Sequence, residues 1–258
     1  MDRYADASAG PAPQPCLFLL YDRGGWPTAA ELKAVLTRSG IGKIGLQPAL
    51  RKPGVSDRDW LEIVVDGLAF DVLGLAPGPS LGFDRPRHWV GLPARACADM
   101  AVIGIAPGPH LQGAANALPV VRTLLRLSVG LLRQADEGIG AFWHPSAIAS
   151  GRETFLTLVD GWLSGGPFPA PLLISMTVDG DGAMVSDGLH FFTGQEIVID
   201  PALCADGPAG MRLAMRLLDH LTLHEALAGS AVLADHDNGA LQLAATEDVI
   251  RVTRARQP

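Results

Sequence analysis

Apolar positions along this chain follow two rhythms. Residues 16–21 form a short unbroken apolar run, which predicts a buried strand. Behind it, Thr28 and Glu31 stand three apart and ahead of Leu32, Val35 and Leu36. That is a capping box followed by one apolar helix face, with Gly40 as the stop. Residues 61–65 and 68–72 alternate apolar and polar around Asp66-Gly67. Asp-Gly accepts the positive φ angles of a type I′ turn, so the spacing predicts a hairpin and rules out an all-parallel sheet.

The same reading continues to the end of the chain. Residues 100–105 read as a strand and 118–134 as a long, largely buried helix. Pro119 sits in the first turn of that helix, and Arg122, Arg126 and Arg133 form its polar stripe. Residues 139–143 are a strand, and Ser150 with Glu153 forms a second capping box for a helix ending near Trp162. Residues 172–178, 189–192 and 196–199 read as strands, and 210–227 as a last long helix. Residues 232–234 and 241–244 flank Asn238-Gly239 as a second hairpin, and 249–252 add an edge strand.

Hairpins interleaved with four helices predict an α+β protein with mixed, largely antiparallel sheets and packed helices. The order strand, helix, hairpin, strand, helix, strand fits a ferredoxin-like unit, and the chain has room for two side by side. Residues 1–15, rich in Ala, Pro and Asp, read as a loose tail. Residues 16–258 read as a single compact domain, with subdomains 16–98 and 99–258 as the alternative and the Pro/Gly-rich stretch 77–93 as a boundary candidate. Residues 72–79 and 102–109 echo each other, each ending in Pro-Gly-Pro. Strand termination explains both exits, since proline cannot extend a ladder. The prolines also leave too few N–H donors for a phosphate cradle.

Composition narrows the function classes. Hydrophobic residues are 48% and charged residues 18%, enough apolar material for a sizeable core. Net charge is −7, and no run of Lys/Arg exceeds two residues, which argues against nucleic acid as partner. Cys16, Cys97 and Cys204 are odd in number and widely spaced, so neither a disulfide framework nor a cysteine zinc site is expected. The acidic N-terminal segment does not resemble a signal peptide. The apolar stretch 118–132 carries Arg122 and Arg126, which oppose membrane insertion. A cytoplasmic, non-membrane protein is the expectation.

Several segments resemble catalytic or metal motifs in part. Gly78-Pro79-Ser80-Leu81-Gly82 fits the G-x-S-x-G nucleophile elbow, but Phe83-Asp84-Arg85-Pro86 is a poor start for the helix that must follow. His220 and His224 share a helix face, as zinc ligands do, yet the glutamate stands outside them at Glu225. Arg216 lies on the same stripe, and an Arg216–Asp219 pair on a solvated face is expected. Asp179-Gly180-Asp181-Gly182 begins like a calcium loop but continues as a turn, and Asp235-His236-Asp237 reads as a polar hairpin tip. No metal site and no cofactor are expected.

The most informative region is Trp143-His144-Pro145-Ser146, at a strand exit. A cleft joining His144 and Ser146 with His190 and Glu196 would suit acid–base chemistry, the carboxylate orienting an imidazole. Candidate ligand-binding residues are Trp143, His110 and Ser80.

The Gly-Ile-Ala-Pro-Gly-Pro exit (104–109), Gly140-Ala141-Phe142-Trp143, residues 169–174, and Ser186-Asp187-Gly188-Leu189 leading to Glu196 together resemble a bacterial domain family of unknown function, the one catalogued as 4261. The resemblance spans about residues 55–200. Ser186 stands where the family has threonine, and one extra residue precedes Gly194. That family has no agreed activity, so the resemblance implies an accessory or interaction domain and assigns no catalytic residues. The reading favoured is a non-enzymatic cytosolic binding or protein-interaction domain of accessory or immunity type, with a partner of basic surface. The alternatives are a hydrolase or transferase with a histidine/carboxylate site, and a small-ligand binder. Oligomeric state is left open.

Overall fold

A computed structural model describes residues 14–45, 60–224 and 226–255. The tail expected over 1–15 lies outside the described residues except for Gln14 and Pro15. The protein is α+β, with largely antiparallel sheets and packed helices. It divides into two compact units, Met1–Arg85 with Ala94–His144, and Pro86–Pro93 with Pro145–Pro258.

The first unit begins with β1 (Leu17–Asp22) and α1 (Ala29–Ser39), followed by β2 (Lys43–Ile44), β3 (Trp60–Val65) and β4 (Leu68–Leu73). β5 (His88–Val90) belongs to the second unit. The first unit resumes with β6 (Met100–Pro107), α2 (Leu118–Gln134) and β7 (Gly138–Trp143). Its strands lie in the order β2-β3-β4-β6-β1-β7, every neighbouring pair antiparallel. The β4-β6-β1-β7 part is the ferredoxin-like order, and β2 and β3 extend it as a meander.

Burial explains the unbroken apolar run at the front of the chain. β1 is the inner strand between β6 and β7, and Leu17, Leu19 and Leu20 are fully buried. A strand covered on both faces has no polar face to alternate with. One cover is α2, packed against β4 and β6 with eight apolar side chains of its own buried. The other includes the loop after β4. There the Phe83 ring lies 6.2 Å from Phe18 and 5.3 Å from Phe142, and Leu81 lies against Gly104.

Local rules set the ends of these elements. Thr28 accepts from the Glu31 N–H at 3.2 Å, and Glu31 accepts from the Thr28 N–H at 2.7 Å, the reciprocal capping box. Gly40 closes α1 in the left-handed region, at φ 66°. Asp66 and Gly67 both take positive φ (50° and 81°), as the tight β3–β4 turn requires.

The second unit pairs β5 with β8 (Ile148–Gly151) in parallel and continues with α3 (Arg152–Leu163), α4 (Ala170–Leu173), β9 (Ser175–Val178), β10 (Met184–Asp187), α5 (His190–Thr193) and β11 (Glu196–Ile199). α6 (Pro201–Cys204), α7 (Gly207–Thr222), β12 (Ser230–Asp235), β13 (Gly239–Ala245) and β14 (Val249–Arg254) complete it. The sheet order β12-β13-β14-β11-β10-β9 differs from the ferredoxin-like one, because β11 and β14 pair directly and in parallel. α7 is part of the crossover such a pair needs.

Four local expectations are corrected. Residues 172–178 are not one strand: a helical turn, α4, precedes β9, with Pro171 in the first turn where its missing N–H costs nothing. Residues 189–192 are mostly the single turn α5, stopped by Gly194 at φ 77°. The N-cap of α3 is Gly151, and Ser150 is buried in β8. There β8 runs so close to the preceding segment that a Cβ on Gly151 would lie 2.1 Å from the Gly91 carbonyl oxygen. Finally, β14 is no edge strand but an interior one, with Ile250 and Val252 fully buried. Among the described residues no helix is long and apolar enough to cross a membrane.

Thr28→Ala should lower unfolding free energy by about 1 kcal/mol with an unchanged urea m value. The Thr28 hydrogen bonds hold the Glu31 carboxyl below its usual range. A carboxylate with a lowered folded pKa adds stability above the unfolded value of about 4.3 and loses it as pH falls through the folded value. Thr28→Ala and Glu31→Gln should therefore each flatten the acid limb of a stability–pH curve measured by urea melts.

Candidate functional site

Glu196, the expected orienter of an imidazole, is occupied otherwise. It opens β11, and its carboxylate turns back over residues 186–190. Its Oε1 accepts the N–H groups of Gly188 (2.8 Å) and His190 (3.0 Å), and its Oε2 accepts the Leu189 N–H at 3.2 Å. The Ser186 hydroxyl donates to Oε2 as well, and its oxygen accepts the Ile197 N–H at 2.8 Å. The carboxylate is thus a fixed anion in a nest of main-chain donors. It serves the first turn of α5, and its contact with His190 is to the backbone rather than the ring.

Ser146 is fully buried, and its hydroxyl has no hydrogen-bond partner among the described residues. Its Cβ lies against Gly188, where an added Cβ would come within 2.6 Å of it and 2.9 Å of the Leu173 carbonyl oxygen. Gly188 also takes φ 108°, so only glycine suits the position. Ser146 and Glu196 do meet the same loop, as packing and capping groups. Asp187, beside them, pairs with Arg87, and burial pushes its carboxyl up despite that guanidinium.

In the first unit His144 has a different carboxylate. Its Nε2 lies 3.0 Å from Asp84 Oδ2, and its ring packs 6.3 Å from Phe18 and 6.2 Å from Phe142. Asp84 is 81% exposed, which puts the pair in the class worth roughly 0–1 kcal/mol. Trp143 is buried in β7, and His110 is exposed on a 3-10 turn after β6. Ser80 is no elbow nucleophile, because no helix follows it. Its hydroxyl accepts the Val102 N–H at 2.7 Å and donates to the Val102 carbonyl at 3.2 Å, pinning the loop to β6. Cys16 is no nucleophile either: burial pushes its thiol to about 12.

The metal-like segments resolve into turns and ion pairs. Asp179 Oδ1 accepts the N–H groups of Asp181 and Ala183 within its own turn. Arg216 pairs with Asp235 through Nε (3.0 Å) and Nη2 (2.8 Å) and with Asp237 at 3.2 Å, in place of the expected Asp219. Asp219 instead accepts the Phe168 N–H at 3.0 Å. Burial pushes the Asp235 carboxyl up, but the hydrogen bonds from Asn238 and Arg216 outweigh it and leave it low. No group of three or more His, Cys, Asp or Glu among the described residues could hold a metal ion. Burial, and then the neighbouring His224, hold the His220 pKa down. Glu225 lies outside the described residues.

One concave feature escaped the sequence reading. A cleft of about 430 Å³ in the first unit lies between α1 and the C-terminal turn of α2. Tyr21, Trp26, Leu32, Val35 and Leu131 supply its apolar lining, and Glu31, Asp136, Glu137 and Arg38 its charged lining. The Trp26 indole N–H is buried and has no acceptor among the described residues. Glu137 sits over Gly25, where a Cβ would come within 1.6 Å of its Oε2. The only signal in the sequence was the loop Gly24-Gly25-Trp26-Pro27, which puts an indole between a strand and a capped helix. Compared with known proteins, the chain matches no family model, no curated protein and no solved structure.

Replacing Glu196 by Gln turns an amide NH₂ toward main-chain donors and should cost about 2 kcal/mol. Ser146→Ala removes a buried hydroxyl without a partner among the described residues and should be neutral or raise stability by up to about 1 kcal/mol. Urea melts of both variants check this contrast; a large loss from Ser146→Ala would mean that the hydroxyl makes a hydrogen bond in solution.

Proposed function

We propose that this protein is a non-enzymatic binding domain and that the cleft of its first unit takes a basic segment of a protein partner. The observation carrying this reading is the cleft itself: three carboxylates against one guanidinium, around an apolar floor with an unsatisfied indole N–H. The C-terminal end of α2 adds partial negative charge to the same wall. A Lys or Arg side chain supplies donors and positive charge for the carboxylates, and it gains from an aromatic face. An extended segment also lays main chain and apolar carbons along the floor, which a simple amine cannot, and that favours a peptide.

Net charge supports the same partner, since −7 steers a basic surface inward and repels phosphate backbones. The catalytic alternative loses its orienting carboxylate, because Glu196 is filled by main-chain donors. The motifs at 104–109, 140–143, 169–174 and 186–196 support a place in the bacterial family catalogued as 4261, and with it an accessory or immunity-type role in the cytoplasm.

The test is a titration of the ¹⁵N-labelled protein with a short Arg/Lys-containing peptide and with arginine amide. The indole cross-peak that Trp26→Phe removes should shift. Glu137→Gln combined with Asp136→Asn should weaken binding about tenfold, and salt should weaken it too. Binding of arginine amide as tight as that of peptide would turn the site into one for a small amine. No shift of that indole, or binding indifferent to the two carboxylates, would end the proposal.

A further inference from the structure

The C-terminal end of α7 carries a pair of imidazoles, His220 in its last turn and His224 two residues past its end. His220 and His224 are one turn apart, with ring centroids 4.2 Å apart and planes tilted by 34°. His224 Nδ1 lies 2.6 Å from the His220 carbonyl oxygen. A carbonyl oxygen only accepts, so His224 Nδ1 is the donor, which leaves Nε2 as the nitrogen a metal would take. A metal-binding histidine is usually held in this way, its other ring N–H given to a main-chain carbonyl. The ring of His220 has no hydrogen bond among the described residues, so it too has a nitrogen to offer.

Arg216, one turn before His220, would oppose a cation if it were free. Its guanidinium is instead drawn to Asp235 and Asp237. Asp219, adjacent to His220, adds a negative charge beside that ring. Two nitrogens that each bind an ion at about 2.0–2.1 Å are up to about 4 Å apart. The ring centres of His220 and His224 are 4.2 Å apart, so a shared ion requires both free nitrogens to turn to the same side of the pair.

We propose that His220 and His224 form a two-histidine site for a borderline divalent transition-metal ion of the zinc, nickel or copper class, with water in the remaining positions. Imidazole nitrogen selects such ions over Mg²⁺ and Ca²⁺, which prefer oxygen. The site is independent of the cleft in the first unit.

Isothermal titration of the full chain with NiCl₂ and ZnCl₂ in a non-chelating buffer tests it. One ion per chain should bind, with MgCl₂ giving no signal. His220→Ala and His224→Ala should each weaken binding by about tenfold or more, while His110→Ala, an exposed histidine elsewhere, should leave it unchanged. Substoichiometric Cu²⁺ should broaden the Cε1–H resonances of His220 and His224 before those of the other histidines. Both residues are at least partly exposed, so the variants should fold, and unchanged circular dichroism melts check that. Binding that survives the double variant, first broadening at another histidine, or no binding at millimolar Ni²⁺ would overturn the site.

Discussion

The double-sided burial of β1 and β6 governs the first unit. A strand with no solvent face commits the chain to covering both sides of the sheet, and the parts nearby follow from that demand. α2 is apolar around most of its circumference because it forms one lid. The loop after β4 is held down because it helps form the other, and the Ser80 hydroxyl ties it to Val102. A serine that resembles a nucleophile in one dimension is a fastener in three. The His144 ring, beside Phe18 and Phe142, is an extension of that aromatic layer.

The second unit depends on one anion. Three main-chain N–H groups and a serine hydroxyl converge on Glu196, which joins the start of β11 to the turn α5 and to the end of β10. Short helices are weak by themselves, since nucleation fixes several residues for one hydrogen bond. A carboxylate that satisfies their first N–H groups offsets that cost. The same arrangement removes Glu196 from chemistry: an acid–base group needs a free lone pair facing a substrate, and its oxygens face inward.

Elements with a long period or a self-contained local code were legible in the sequence. Thr28 with Glu31, Asp66-Gly67, and the apolar circumference of 118–134 each carry their rule within a few residues. α4 and α5 were missed because a single helical turn is too short to display a period, and their apolar runs read equally well as strands. Ser150 with Glu153 satisfied the capping pattern, but the close approach of Gly91 and Gly151 pulled Ser150 into a strand. Arg216 found Asp235 across the fold and not Asp219 nearby, a choice made by tertiary geometry. The cleft was illegible for the same reason: its walls come from residues 21–38 and 131–137, and nothing links the two stretches until β1, α1 and α2 are packed.

The parallel pairing of β11 with β14 has a temporal side. Glu196 sits opposite Val249, so the two strands leave the ribosome about 50 positions apart, a wait of roughly 3–10 seconds at typical elongation rates. Through that interval the inner edge of β11 is open, with Ile197 and Ile199 still waiting for the neighbours that will bury them. Open, apolar strand edges recruit foreign strands. The newborn chain is therefore most vulnerable after its first unit is complete and before its second sheet has closed.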